Sequence, residues 1–302
     1  MSLVKLKASN LDSFNYHLPD ELIAQHPLDN RDQSKLLIYN KSTKEINHDK
    51  FFNLLNYLNE GDVLVFNNTK VIKSRVFAQR NSGAKIECFF LKKISNNIWE
   101  VMLKKLQRLK TNETLSISET DKIKIIEKKE KTAIVQIYSK LNDLDFLEKI
   151  GNTPLPPYIK NNDSNQYESS YQTVFAEAPG AVAAPTASLH FTKNLLAQLR
   201  SKKIEIIYIT LHIGLGTFNP IQTNNIYKHT MHEENYNITK ESEIKLNSAL
   251  SKKKRIIGVG TTVARCLESN IKNGKFSAGS NSTSLYITPG FEFKSINGLI
   301  TN

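Results

Sequence analysis

Cysteine is scarce in this chain: Cys88 and Cys266 are the only two among 302 residues. Two are too few for a disulfide framework or a zinc-thiolate site, so both are expected to be buried, reduced thiols. Long apolar runs are missing as well, and none approaches the roughly 20 residues that a membrane-spanning helix requires. The opening stretch, MSLVKLKASNLDSF, lacks the apolar region of a signal peptide, which makes the cytoplasm the expected compartment. Neither an internal repeat nor a low-complexity tract occurs. Acidic side chains are outnumbered, 29 against 41 Lys and Arg, giving a net charge of +12.

That excess is concentrated. Between Val71 and Lys110 stand ten Lys or Arg, opposed only by Glu87 and Glu100, so this segment carries +8 of the +12. A chain rich in Lys, Asn and Ile can drift basic through codon bias, but drift spreads charge evenly. A local excess points to a polyanion, and a phosphate backbone is the expected partner.

With 39% hydrophobic residues the chain can bury a core of one or two domains. Leu18-Pro19-Asp20-Glu21 has the look of a short helix start. Leu36–Tyr39 and Asp62–Asn67 are predicted strands, separated by a helix from Phe51 to Leu58 that Gly61 stops. From Val71 onward the period changes to two. Ala84–Lys93, Asn97–Lys105, the segment DKIKIIEKK and Thr132–Tyr138 are predicted as successive strands with no helix among them. A small antiparallel β-barrel inserted into something else is the expected result. After Gly151 the pattern alternates. A helix capped by Thr192 leads to a strand over Ile204–His212. A helix over Thr239–Lys253 and a strand over Arg255–Val259 follow, then a helix over Val263–Asn270 and a strand over Leu285–Thr288. The expected fold is α/β: residues 1–70 and 151–302 make a discontinuous α/β catalytic domain with a mostly parallel sheet, and 71–150 an inserted basic barrel.

Chemistry-bearing residues gather in the second half. Tyr171–Thr192, YQTVFAEAPGAVAAPTASLHFT, is built of small residues and ends near His190. Taken alone it reads first as a tightly packed connection, yet His212, Gly214 and Gly216 follow closely, then His229 and His232. GLGTF lacks the third glycine of a dinucleotide fingerprint. Gly260-Thr261-Thr262 at a helix start offers free amides and hydroxyls to an anion. His229 and His232 lack the Glu of a zinc-protease motif, so no metal is expected, and His232 with Glu233 or Glu234 fits an acid–base pair better.

Eight blocks taken together carry a resemblance: ELIAQHPLDNRDQSKLL, EGDVLVFNNTKVIKSRV, GNTPLPPYI, YQTVFAEAPGAVAAPTASLHFT, TLHIGLGTFNP, HTMHEENY, GVGTTVARCLES and YITPGFEFKSINGLITN. In this order, from about Phe14 to the last residue, the chain resembles the S-adenosylmethionine:tRNA ribosyltransferase-isomerases of queuosine biosynthesis. The resemblance implies an α/β domain with an inserted β-barrel. It also implies a reaction: the ribosyl part of S-adenosylmethionine passes to 7-aminomethyl-7-deazaguanine at the tRNA wobble position, giving epoxyqueuosine, adenine and methionine. S-Adenosylmethionine is then a consumed substrate, and no cofactor is implied.

Such a reaction needs a base to take a proton beside the sulfonium and an acid to help adenine leave. The candidates are His190, His212, His232, Glu233 and Glu234, with roles left open. Ala184, Pro185, Thr186, Gly214, Gly216 and Thr217 suit a wall against the nucleoside. Thr261 and Thr262 suit the methionine carboxylate. Lys73, Arg75, Lys92, Lys104 and Arg108 are the candidates for tRNA phosphates, with the anticodon arm as the bound region. A monomer without membrane attachment is expected. Two departures from the family pattern stand out. Glu233 replaces a usual Ser, and the pattern continues past Leu299-Ile300-Thr301-Asn302, so either the chain is a fragment or its gene product is shortened. The alternative reading is a catalytically inactive tRNA-binding remnant.

Overall fold

Val63, Leu64, Val65, Phe66 and Asn67 form a strand buried at all five positions, which requires a sheet covered on both faces. It lies inside a six-stranded sheet of order Gly279–Thr283, Glu234–Ile238, Glu205–Leu211, Val63–Asn67, Ile256–Val259, Gly298–Ile300. The last four strands run parallel, and the first two join antiparallel at one edge. The computed structural model describes residues 9–160, 167–218 and 220–302, without the side chains of Leu215 and Phe218.

This sheet belongs to the first of two units, made of Met1–Thr69, Ser170–Ala178 and Ala184–Asn302. One face carries Leu64, Phe66 and Val259, packed with Leu195, Leu196 and Leu199 of the helix Lys193–Ser201. Those leucines recur at helical spacing, each burying roughly 2 kcal/mol of transfer free energy. The helix starts at Thr192, whose hydroxyl accepts from the Leu195 amide at 3.1 Å. On the opposite face a Cβ at Gly258 would touch Val263 and Ala264 of the helix Thr261–Asn270. The helix Lys240–Ser251 is capped by Thr239 in the same manner as the first.

Two expectations change. Phe51–Tyr57 is a 3-10 helix. Leu285–Thr288 is not a strand; the strand is Gly279–Thr283, whose side chains are mostly exposed. An edge strand needs no apolar face to form its ladder, so its polar sequence, GSNST, carries no periodic signal.

The second unit is Lys70–Ser169 with Pro179–Ala183. It is a closed antiparallel barrel of six strands in the order Ala133–Tyr138, Ile98–Leu103, Lys85–Ser95, Arg75–Gln79, Thr114–Ser116, Lys122–Lys128. Alternate residues such as Val76, Cys88, Phe90, Val101, Ile123 and Val135 fill the interior. The unit runs past residue 150 and contains an unexpected helix, Asp143–Ile150, which adds Phe146 and Leu147 to that core. Asn142 caps it by accepting from the Leu144 and Asp145 amides. Asp143 is buried, which by itself raises its pKa. Lys93, Trp99 and Asn97 donate to it and hold it below the ordinary carboxylate value. At Gly151 backbones meet so closely that a Cβ would lie 1.8 Å from the Lys73 carbonyl oxygen. Cys88 and Cys266 are both free and buried; burial pushes the Cys88 thiol up to about 12.

Candidate active site

The carboxyl ends of the four parallel strands lie along one edge of the sheet, where α/β proteins bind ligands. Thr69 follows the Val63–Asn67 strand, His212 the Glu205–Leu211 strand, Thr261 the Ile256–Val259 strand, and Asn302 the Gly298–Ile300 strand. The antiparallel Glu234–Ile238 strand begins at this same edge, directly after His232 and Glu233.

His212 Nδ1 lies 2.8 Å from Thr69 Oγ1. Burial lowers the His212 pKa, so the ring is neutral at neutral pH. The placement of both residues comes from Asn67, which is fully buried. Its Nδ2 donates to the Leu211 carbonyl at 2.8 Å, and its Oδ1 accepts from the amides of Leu211 at 3.0 Å and Thr69 at 3.1 Å. Sequence alone singles out neither Asn67 nor Thr69. Both lie in the block EGDVLVFNNTKVIKSRV, but only the folded structure shows that Asn67 reaches across to residue 211.

Leu211 pairs with Tyr236, and the His212 amide donates to the Asn235 carbonyl, so alternation sends Glu234 and His212 to opposite faces. Glu234 therefore meets the Thr261–Asn270 helix, where Arg265 Nη1 donates to its Oε2. Its Oε1 accepts from the Gly214 amide at 3.4 Å and stands 3.5 Å from His232 Nε2. Glu234 is 3% exposed, and both of its oxygens are engaged. Glu233 is exposed and accepts from Ser282 Oγ at 2.6 Å. Gly216 lies against His232, and a Cβ there would come within 2.6 Å of the ring. Thr217 is exposed.

His190 ends the 3-10 turn Thr186–His190, with Nε2 2.9 Å from Asn302 Oδ1 and its ring 5.2 Å from that of Phe51. Ala184 and Pro185 are buried and Thr186 is half-buried, so the first two serve the turn's packing more than an open wall. Thr261 and Thr262 open the helix after Gly260, whose φ of 100° suits glycine. His229 meets Tyr286 edge to face, with ring centroids 5.3 Å apart. Among the described residues no group of three or more His, Cys, Asp or Glu is placed to hold a metal ion.

In the barrel unit the candidate cations divide. Lys73 is held by Glu148 at 3.0 Å and Glu168 at 2.8 Å. Arg75 pairs with Glu87 at 2.6 Å and lies over Phe77. Lys104 reaches Glu87 at 3.5 Å. Lys92 and Arg108 are exposed, with no ion-pair partner among the described residues.

Fold and site together define an α/β protein with a polar, histidine-bearing edge and a separate basic barrel. The chain matches the family described as queuosine biosynthesis protein over residues 11–302. It is 46% identical to the S-adenosylmethionine:tRNA ribosyltransferase-isomerase of Sulfurihydrogenibium sp. over 97% of this chain and 86% of that protein. The Carboxydothermus hydrogenoformans protein of the same name is 43% identical over the same shares. Among solved structures, S-adenosylmethionine tRNA ribosyltransferase from Thermotoga maritima is 28% identical. That likeness covers 96% of this chain and 83% of that one, with a TM-score of 0.50. The chain belongs to the queuosine biosynthesis protein family. No helix among the described residues is long and apolar enough to cross a membrane.

Proposed function

We propose that this chain transfers and isomerises the ribosyl moiety of S-adenosylmethionine onto 7-aminomethyl-7-deazaguanine in the tRNA wobble position, releasing adenine and methionine. The observation that carries the chemistry is the neutral, half-buried His212 beside Thr69 at the carboxyl ends of adjacent parallel strands. A sulfonium acidifies the hydrogens of the neighbouring 5′ carbon, and a neutral imidazole is the form that can take one. Thr69 Oγ1 also lies 3.4 Å from the Ala178 carbonyl, an acceptor for its hydroxyl. With that bond made, Thr69 accepts from His212 Nδ1–H and Nε2 keeps its lone pair for the proton. His212 is thus the base of this reading. His232 is the acid for adenine, while His190 with Asn302 and the Thr261–Thr262 helix start bind the donor's polar groups.

The acceptor base sits in an anticodon loop, already unpaired, so presenting it to a pocket costs little. Lys92 and Arg108 hold phosphates from the barrel. On this reading the protein works in the cytoplasm as a monomer and needs no cofactor. Incubation with S-adenosylmethionine and tRNA carrying the aminomethyl precursor tests the reaction: free adenine with ribosylated tRNA is expected. S-Adenosylhomocysteine would mean methyl transfer, and tRNA binding without either product would mean an inactive RNA-binding protein.

A further inference from the structure

We infer that Arg265 is a positioning residue for His232, acting through the carboxylate of Glu234; this rests on the transfer reaction proposed above. Arg265 is 7% exposed and meets four acceptors on two stretches of chain, 232–234 and 283–285. Its Nε donates to the Leu285 carbonyl at 2.8 Å, its Nη1 to Glu234 Oε2, and its Nη2 to the carbonyls of His232 at 3.3 Å and Thr283 at 3.4 Å. A planar guanidinium satisfies that set, whereas a lysine ammonium cannot span it.

The consequence falls on His232. Its main-chain carbonyl is fastened by Arg265, and its ring is backed by Gly216. Its Nε2 is buried and lacks a hydrogen-bond partner among the described residues, although Glu234 Oε1 is only 3.5 Å away. Among the described residues Glu234 is the charged group paired with this ring, and Arg265 in turn holds Glu234; the Glu233 carboxylate is exposed and accepts from Ser282. Arg265 compensates the Glu234 charge and fixes the carboxylate that also receives the Gly214 amide. One side chain thereby sets both the place and the charge environment of His232 and ties the GLGTF turn to it.

The test joins spectroscopy to kinetics. The His232 ring resonances are followed by NMR in the wild type, Arg265→Gln and Glu234→Gln. Both changes are expected to move those resonances, because each removes one member of the pair that holds the ring's surroundings. Arg265→Lys is expected to lower kcat about 10- to 100-fold while KM for S-adenosylmethionine moves less than about threefold. In a His232→Gln background the same lysine change is expected to cost less than about twofold, because the effect passes through His232. Unmoved His232 resonances, or equal losses in both backgrounds, overturn the inference. If Arg265→Gln does not fold, the Glu234→Gln spectrum and the Arg265→Lys cycle decide. A wild-type chain that releases no adenine defeats the proposed reaction instead, and the spectra still decide the role of Arg265.

Discussion

The side chain of Asn67 holds both main-chain groups of Leu211, donating to its carbonyl and accepting from its amide, at 2.8 and 3.0 Å. Because Asn67 Oδ1 also accepts from the Thr69 amide, one buried residue sets the positions of Thr69 and His212. Asn67→Ala would strand these buried groups, each costing about 1–3 kcal/mol. A fall in urea stability within that range or above, with loss of adenine release, is the expected outcome. Unchanged stability would show that water replaces the amide without penalty.

His212 has its pKa lowered by burial. Below the ordinary histidine value of 6.5 the unfolded chain binds a proton that the folded chain resists. Stability contributed by the neutral ring is therefore complete above that value and declines as pH falls toward the depressed folded pKa. His212→Gln should flatten this part of the stability–pH curve, measured by urea unfolding between pH 5 and 8. An identical curve in the variant would exclude a depressed His212.

Gly216 has no space for a side chain, since a Cβ would meet the His232 ring at 2.6 to 2.9 Å. A ring can swing aside more readily than a backbone, so Gly216→Ala should cost about 1 kcal/mol or less of stability. The displaced histidine should lower the single-turnover rate about 10- to 100-fold. A crystal structure of the variant with His232 unmoved would refute the close approach.

The barrel's cations should behave unequally. Replacing Lys92 and Arg108 together by Ala should weaken tRNA binding and reduce the log–log salt slope by about 1.4, the share of two single-strand phosphate contacts. Lys73→Ala should leave the slope unchanged, because Glu148 and Glu168 already hold that ammonium. The opposite ranking would mean that tRNA displaces those carboxylates.

Much of the fold was legible in the chain. The β-branched runs at residues 63–67 and 205–211 are strands, the first buried throughout and the second at alternate positions, and Thr192 and Thr239 mark helix starts that the structure places there. The barrel strands showed their period of two. What escaped was held by backbone or by long-range pairing: the polar edge strand Gly279–Thr283, the short helix after Asn142, and the reach of Asn67 to Leu211. The histidines announced a site, but sequence could not show that Glu234 faces Arg265 while His212 faces Thr69. Strand alternation decides that, and it depends on a register visible only after folding.

The central claim is that a neutral His212 removes the proton beside the sulfonium. Single-turnover adenine release, measured against pH in the wild type and His212→Gln with S-adenosylmethionine binding verified in both, tests it most directly. The account predicts an acid limb below pH 6.5 in the wild type and a rate about 10²–10⁴-fold lower in the variant. A variant that binds the donor and releases adenine at the wild-type rate would contradict it.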